Sequence, residues 1–423
     1  MRENFLHYIW KHKKFDVLNL KTTQHESLAL VSVGHHNHNS GPDFFNAQLK
    51  IGQQLWAGNV EIHIKSSDWF AHHHEQDSVY DNVILHVVYE HDTDIFRKDN
   101  STIPTLELKP YINSDVLGTY QKLFSNSSKW INCENDFAQT EDFVVNYWLE
   151  RLYVERLERK SKIIQDLLVA SKNNWEAVLF KMLTKNFGLK VNGDAFFSLA
   201  QSIEFSVVKK SQSKVLAIEA LLFGQAGLLE KDLEDKYYQD LKETFNFLKQ
   251  KFQLSNTYVL PFQFFRLRPP NFPTIRLSQL ASLYHEQQSL FSKLIVSNTL
   301  EDFYRLLKVS TSEYWKTHYT FQKSSKSREK TLTKSFIDLL LINTIIPLKF
   351  TYAKQKGEEI NDKLIEIMRA IDSEKNSIIK GFDTLKKVSN SALESQALVQ
   401  LKTEYCNKHQ CLKCAIGNSL LNK

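Results

Sequence analysis

The sequence predicts an α+β protein: a small N-terminal mixed β-sheet over residues 1–112, a large all-helical part over 113–400, and a cysteine-bearing tail over 401–423. Two observations predict this. Up to about residue 112 apolar and polar residues alternate in short runs, the two-residue period of a strand. Beyond it apolar residues recur every three to four positions, the period of an amphipathic helix. A third observation marks the same divide. Residues 1–112 hold 10 Lys/Arg against 14 Asp/Glu, and twelve of the fifteen histidines lie within the first 91 residues. The remainder carries the positive excess that gives the chain its net charge of +6. An acidic, histidine-rich front suits a metal site, and a basic remainder suits a polyanion such as nucleic acid.

Taken in order, "MRENFLHYIWKHKKF" has charge on both sides of a short apolar patch and no small-residue cleavage site, so it does not read as a signal peptide. "SLALVSV" (Ser27–Val33) reads as a short buried strand. "FFNAQLKI" (Phe44–Ile51) and "LWAGNVEIHIK" (Leu55–Lys65) flank a "GQQ" turn and read as a hairpin. "HHHEQDSVYD" (His72–Asp81) is a polar loop or short helix. "NVILHVVYE" (Asn82–Glu90) is a Val/Ile-rich strand. "IPTLELK" (Ile103–Lys109) is a strand bracketed by Pro104 and Pro110, which suits a sheet edge.

Further on, "YWLERLYVERLERKSKIIQDLLVA" (Tyr147–Ala170) sets Leu149, Tyr153, Leu157, Ile164 and Leu168 on one helical face. Several helical runs follow. One irregular centre, "LPFQFFRLRPPNFPTIRLSQL" (Leu260–Leu280), holds four of the eight prolines, which block helix and fix an extended path. The longest apolar run, Phe336–Leu348, is too short for a membrane span and carries Asp338 and Pro347. No membrane partner is expected, and the reading is a cytoplasmic chain. Four cysteines in 423 residues do not make a disulfide scaffold.

The chemistry-bearing residues fall in three places. In an extended strand Val60, Ile62 and Ile64 face one way, and Glu61, His63 and Lys65 face the other. Asp43 heads the preceding strand, 18 residues earlier. A hairpin can bring Asp43 to Glu61. Two carboxylates beside a nitrogen base can then hold Mg²⁺ or Mn²⁺ and activate water against a phosphodiester. The alternative is a hairpin with an ordinary polar face. Around it, His35, His36 and His38 precede Asp43. His72, His73 and His74 read as solvent-facing, and mid-strand His86 as a core residue. A mononuclear Zn²⁺ or Mn²⁺ site built on His63 and one of these histidines is a further option, in its zinc form a hydrolase of a small substrate.

The tail "EYCNKHQCLKCAIGNSLL" carries Cys406, Cys411 and Cys414, and the one other cysteine is Cys133 in "WINCENDF". Closely spaced thiols of this kind suit zinc or an iron–sulfur cluster, with Cys133 or His409 as fourth ligand. Last, Arg266, Arg268 and Arg276 could hold phosphates, with Phe264, Phe265 and Phe272 for base stacking. The plainer reading is a buried proline-rich connection whose arginines cap helix ends. "KSSKSREKTLTK" (Lys323–Lys334) reads as a solvated basic loop.

Pro42-Asp43 and Glu61 resemble the PD-(D/E)xK motif of the restriction-endonuclease-like superfamily. That resemblance implies a metal-dependent nuclease with Asp43 and Glu61 as metal ligands. The superfamily's lysine would fall at position 63, which here is histidine. Either His63 replaces it, or Lys65 reaches in, or the site is degenerate and the chain is a non-catalytic binding module. One early cysteine with three near the C-terminus resembles the iron–sulfur-clasped nucleases of that superfamily, although the spacing differs and Cys133 follows the nuclease-like core. Over nearly its whole length the chain resembles a bacterial family catalogued only as a domain of unknown function. That resemblance rests on "SGPDFFNAQL", "GNVEIHIKSSDW", "YDNVILHVVYEHD", "EALLFGQAGLL", "RLRPPNFPTIRLSQLA" and "CLKCAIG".

Overall fold

The computed structural model describes residues 1–37, 39–124 and 129–422; His38 lies outside the described residues. The chain is α+β and forms two compact units. One comprises residues 1–148 together with 401–423, and the other residues 149–400. Neither boundary coincides with the change of period at 113. Helix α3 (Ser114–Phe124) buries Tyr120 and Leu123 in the core of the sheet. The tail joins the same unit because Leu420 and Leu421 enter that core.

The first unit opens with helix α1 (Glu3–Lys11). Phe5, Leu6, Ile9 and Trp10 recur at helical spacing and are fully buried. Strands β1 (Leu20–Lys21), β2 (Ser27–Ser32), β3 (His35–His36), β4 (Phe44–Ile51), β5 (Gln54–Lys65), β6 (Val83–Glu90) and β7 (Thr105–Glu107) make one mixed sheet. Its order is β1-β2-β4-β5-β6-β7, with β3 also paired to β4. The β4–β5 hairpin is antiparallel and turns through Gly52, whose φ of +58° suits glycine. Strands β5, β6 and β7 run parallel, so a crossover must join β5 to β6. The short helix α2 (Asp68–Ala71) and two single 3₁₀ turns supply it.

Burial follows the alternation. Val60, Ile62, Leu85 and Val87 lie in one core with Phe44, Ala47 and Leu49. The opposite face of the sheet is covered near Trp69, Val83, Ile95 and Ile103. Strand β2 departs from the expected buried strand. Only Leu28 is buried there, because β2 lies near the sheet margin with just the two-residue β1 outside it. Strand β7 closes the other margin, as its flanking prolines suggest.

The second unit is mostly helical, but not wholly. A small hairpin, β8 (His318–Thr320) with β9 (Lys323–Ser324), interrupts it, and its second strand opens the stretch read as a solvated basic loop. The expected helix over 147–170 is part of a longer one, α4 (Asp142–Ala170), within which the two units divide. The apolar run at 336–348 belongs to a helical stretch of 23 residues, Lys334–Lys356, which continues through a π turn at Leu341–Ile345. By length and composition it could cross a membrane, but 78% of its apolar window is buried inside the protein, as in a core helix.

Candidate metal centre

The site is built on the sheet where antiparallel β4 meets parallel β5. Register places Phe44 opposite Val60 and Glu61 beside His86. Asp43 therefore sits one residue before β4, next to Glu61. The two carboxylates clasp each other's backbone. The Asp43 N–H donates to Glu61 Oε2 at 3.1 Å, and the Ile62 N–H donates to Asp43 Oδ2 at 3.0 Å. Upstream, the Asn37 side-chain amide lies 3.1 Å from the carbonyls of Asn39, Ser40 and Pro42, and the Asn37 N–H donates to the Asp43 carbonyl at 2.7 Å. Asn37 thus holds the loop that presents Pro42-Asp43. A bulge follows at Asn46, whose φ is +57°. Bulges next to a site re-aim side chains without breaking the sheet.

Glu61 points its other oxygen, Oε1, at imidazoles. His63 Nε2 lies 3.5 Å away and His74 Nε2 3.4 Å away. His63 Nε2 is also 3.1 Å from His72 Nδ1. Among the described residues, His63, His72 and His74 are the one trio whose ligand atoms all lie within 4.8 Å of one another. Behind them His63 Nδ1 is 2.8 Å from His86 Nε2. If His63 Nδ1–H donates to His86, the Nε2 lone pair of His63 is free to face the trio. That is the orientation a metal-binding histidine takes from its supporting partner. Trp69 is fully buried edge-on to both His74 and His86 and fixes their planes.

Burial sets the charges. It depresses His63 to about 3, helped by the nearby His74 and His72, and holds His86 well below the usual histidine range. Both are neutral, the form that can donate a lone pair to a metal. Burial, together with the charge of Asp43, pushes Glu61 up to about 9. A cation among these neutral imidazoles would favour the ionised form of Glu61. His74 Nε2 is buried and makes no hydrogen bond, although it faces Glu61. Glu61 with the three imidazoles therefore fits a divalent transition metal better than Mg²⁺, since imidazole suits Mn, Fe and Zn and oxygen ligands suit Mg.

Of the histidine triplet, His72 and His73 are exposed as the solvent-facing reading expects, and His74 is half-buried. The turn after α2 brings exposed His72 to 3.1 Å from His63 and half-buried His74 to 3.4 Å from Glu61, while exposed His73 takes φ +60°. His86 is buried, as a core histidine would be, but it also supports His63. Lys65 lies at the end of β5, is exposed, and its N–H donates to Asp68. The structure brings Asp43, Glu61 and His63 together and leaves Lys65 outside, because each two-residue step carries a side chain about 7 Å along the strand.

One residue escaped the sequence reading. His7, on α1, lies 3.2 Å from Asp43 Oδ2. Burial opposes its charge, but contact with Asp43 outweighs this and raises it above the ordinary histidine range. Glu3, one helical turn earlier, adds to that pull. The spacing of Glu3 and His7 was the visible signal, since both fall on the polar side of α1.

A cleft of about 720 Å³ opens at this edge. Arg2, His7, Lys11, Asp43, Lys408 and Lys413 are among its lining residues. Among its described lining residues Asp43 is the one carboxylate, so the cleft is cationic, with Lys408 paired to Glu404. The tail forms one wall. Cys411 lies beside Asn132, whose amide is 3.4 Å from its sulfur, and so close to Cys133.

In the helical unit the three arginines separate. Arg266 and Arg268 are exposed, with Arg266 stacked 5.1 Å from Phe265. Arg276 is buried, 3.6 Å over the Phe336 ring and bonded to Gln279 and Asn271. It cannot reach a phosphate, because it falls inside the helix Pro273–Glu286 that packs into the core.

The fold and site together define an α+β protein with an imidazole–carboxylate centre on a mixed sheet. The chain belongs to the family described as "Protein of unknown function (DUF2851)", whose model matches residues 3–377. That span includes every residue of the centre and Cys133, and ends before the three tail cysteines. Comparison with curated proteins and with solved structures finds no match.

Proposed function

We propose that this chain is a metal-dependent nuclease, a phosphodiesterase acting on nucleic acid. The observation that carries the reading is the position of the Asp43–Glu61–His63 cluster at the edge of a cleft lined by Arg2, Lys11, Lys408 and Lys413. A polyanion is the ligand such a surface attracts. Glu61, His63, His72 and His74 would hold the metal, with Mn²⁺ or Zn²⁺ suited to the donor set. Once bound, the metal would supply a Lewis acid and a water of lowered pKa.

The chain's own groups do the rest. Asp43 positions Glu61 through its N–H and, by contact with His7 at the cleft wall, favours that imidazole's protonated form. His7 there can pair with a phosphate oxygen or give a proton to a leaving oxygen. His86 keeps His63 in register, and the lysines bind backbone phosphates. The helix, antiparallel hairpin, short helix and parallel strand support the restriction-endonuclease-like reading, with His63 in the lysine's place. The exposed pair Arg266 and Arg268 would offer further phosphate contacts. The free cysteines support a reducing compartment such as the cytoplasm. The histidine trio also favours a second reading, a His/Zn hydrolase of a small substrate.

The test is cleavage of labelled single- and double-stranded DNA and RNA with Mn²⁺, Zn²⁺ or Mg²⁺, beside Glu61→Gln. Metal-dependent cleavage lost in the variant supports the nuclease. Hydrolysis confined to small phosphoesters or amides favours the second reading. Equal background in both proteins sinks each of them.

A further inference from the structure

The proline-rich centre of the helical unit has no regular structure before Pro269, yet it is held in place. Pro261, Pro269, Pro270 and Pro273 restrict its backbone to an extended path, so little freedom remains to be lost on binding. Side chains of the helix Leu189–Gln201 pin that path. The Leu260 N–H donates to Ser198 Oγ at 2.9 Å. The buried Asn192 amide pairs both ways with Gln263, accepting its N–H at 2.7 Å and donating to its carbonyl at 2.9 Å. The Phe262 ring centre lies 5.1 Å from that of Phe196, and the Phe264 ring centre 5.4 Å from that of Phe272. Both rings are half-buried, and the alternate residues Pro261, Gln263 and Phe265 are exposed.

The exposed side carries aromatic rings and cations. Phe265 is 76% exposed, and Tyr258, earlier in the same segment, 91%. Arg266 takes φ +61°, a left-handed backbone that side chains other than glycine's disfavour. Its guanidinium lies 5.1 Å from the Phe265 ring centre. Arg268 is also exposed. No acidic residue occurs anywhere from Thr244 to His285, a stretch that holds exposed Lys249 and Lys251 as well. Exposed rings, a strained turn and an unopposed run of cations gain nothing from core packing. A ligand with flat faces and negative charge covers the rings and neutralises the cations together.

We propose that this segment is a binding platform for single-stranded nucleic acid, with bases stacking on Phe265 and Tyr258 and phosphates meeting Arg266 and Arg268. The rings select the strand form. In a duplex the base faces are closed by stacking on one another, whereas an unpaired strand offers them to an aromatic side chain. Charge selects the class of partner. A run of cations with no carboxylate among them attracts a polyanion and gives an uncharged apolar protein surface nothing to pair with. The platform deepens the nuclease reading by naming the strand form of its substrate, and only that consequence rests on the nuclease. Binding by the platform does not involve the metal centre.

The test is fluorescence anisotropy of the full chain with labelled oligo-dT, oligo-U and a duplex of equal length, in EDTA so that nothing is cleaved. The wild type should bind the single strands more tightly than the duplex. Phe265→Ala should weaken single-strand binding about tenfold, the loss of one base stack, and leave duplex binding unchanged. Phe265→Tyr should keep wild-type affinity. Arg266→Ala with Arg268→Ala should lower the single-strand salt slope by about 1.4, because each phosphate contributes about 0.7. Strands carrying 5-iodouracil should cross-link under light to Phe265 or Tyr258, as mapped by mass spectrometry. No binding by the wild type, wild-type affinity in Phe265→Ala, or cross-links confined to the first unit would overturn the platform. Poly-glutamate that competes as well as oligo-dT, and is weakened equally by Phe265→Ala, would assign the surface to acidic proteins and overturn it too. Glu61→Gln should bind single strands as the wild type does, so the nuclease can fail while the platform stands.

Discussion

Glu61→Gln separates the two states of the candidate centre. With no metal, the Glu61 carboxyl is pushed up to about 9 by burial and by Asp43, so at pH 7.5 it is mostly protonated. Glutamine has nearly the same shape and is likewise neutral. Metal-free stability should therefore change by less than about 1 kcal/mol, against the 3–5 kcal/mol typical of breaking a buried ion pair. The pH dependence carries the sign. A carboxyl whose folded pKa lies above its unfolded value binds its proton more tightly in the native state. Its contribution is complete below about 4.5 and is lost as pH rises toward about 9. Wild-type stability should fall across that window, and this component should vanish in Glu61→Gln. Metal acts oppositely. At a free concentration of about 100 Kd it stabilises the wild type by about 2.7 kcal/mol. For a unit of this size that is a rise of about 5–10 °C in Tm. The variant, lacking the charged ligand, should show almost none. Thermal melts with and without Mn²⁺ or Zn²⁺, at several pH values, read all three effects. A variant that loses several kcal/mol without metal yet keeps the full metal-induced shift would refute the assignment.

Four further outcomes follow from the geometry. His7→Gln should raise KM several-fold while leaving the metal-induced Tm shift intact. Wild-type KM should rise as pH passes the raised pKa of His7, and the variant should lose that dependence. Reversing the cleft wall with Lys408→Glu and Lys413→Glu should lower the salt slope of nucleic-acid binding by about 2, because each neutralised phosphate contributes about 0.9; fluorescence anisotropy at several salt concentrations measures it. Trp69→Ala should cost about 3–5 kcal/mol in denaturant unfolding and weaken metal binding, since the fully buried ring braces His74 and His86. Arg276→Ala should cost at least about 2 kcal/mol, the scale of a desolvated cation–π contact, while leaving nucleic-acid binding unchanged.

Much of the fold was legible because burial imposes a period. The alternation in Phe44–Ile51 and Gln54–Lys65, the apolar run of Val83–Glu90 and the proline-bracketed Thr105–Glu107 all mark strands. The switch to helical spacing marks the rest. Periodicity does not reveal partners, however. That α1 lies against the hairpin, and so brings His7 to Asp43, is a tertiary fact. The two compact units likewise follow contacts, so residues 113–148 and the tail pack with the sheet despite their helical pattern. Within the site, strand alternation placed Glu61 and His63 together, and hairpin register placed Asp43 beside them. Nothing local distinguished half-buried His74 from exposed His72 and His73, because the path of the turn depends on a left-handed residue at His73. Arg276 looked like Arg266 and Arg268 in sequence, and only the start of a buried helix at Pro273 separates them.

The most direct test of the central claim is anomalous diffraction at the manganese edge from crystals of the full chain soaked in Mn²⁺. The account predicts one strong peak coordinated by Glu61 Oε1 and the facing nitrogens of His63, His72 and His74, absent in Glu61→Gln. No peak there at saturating Mn²⁺, or an equal peak in the variant, would contradict it.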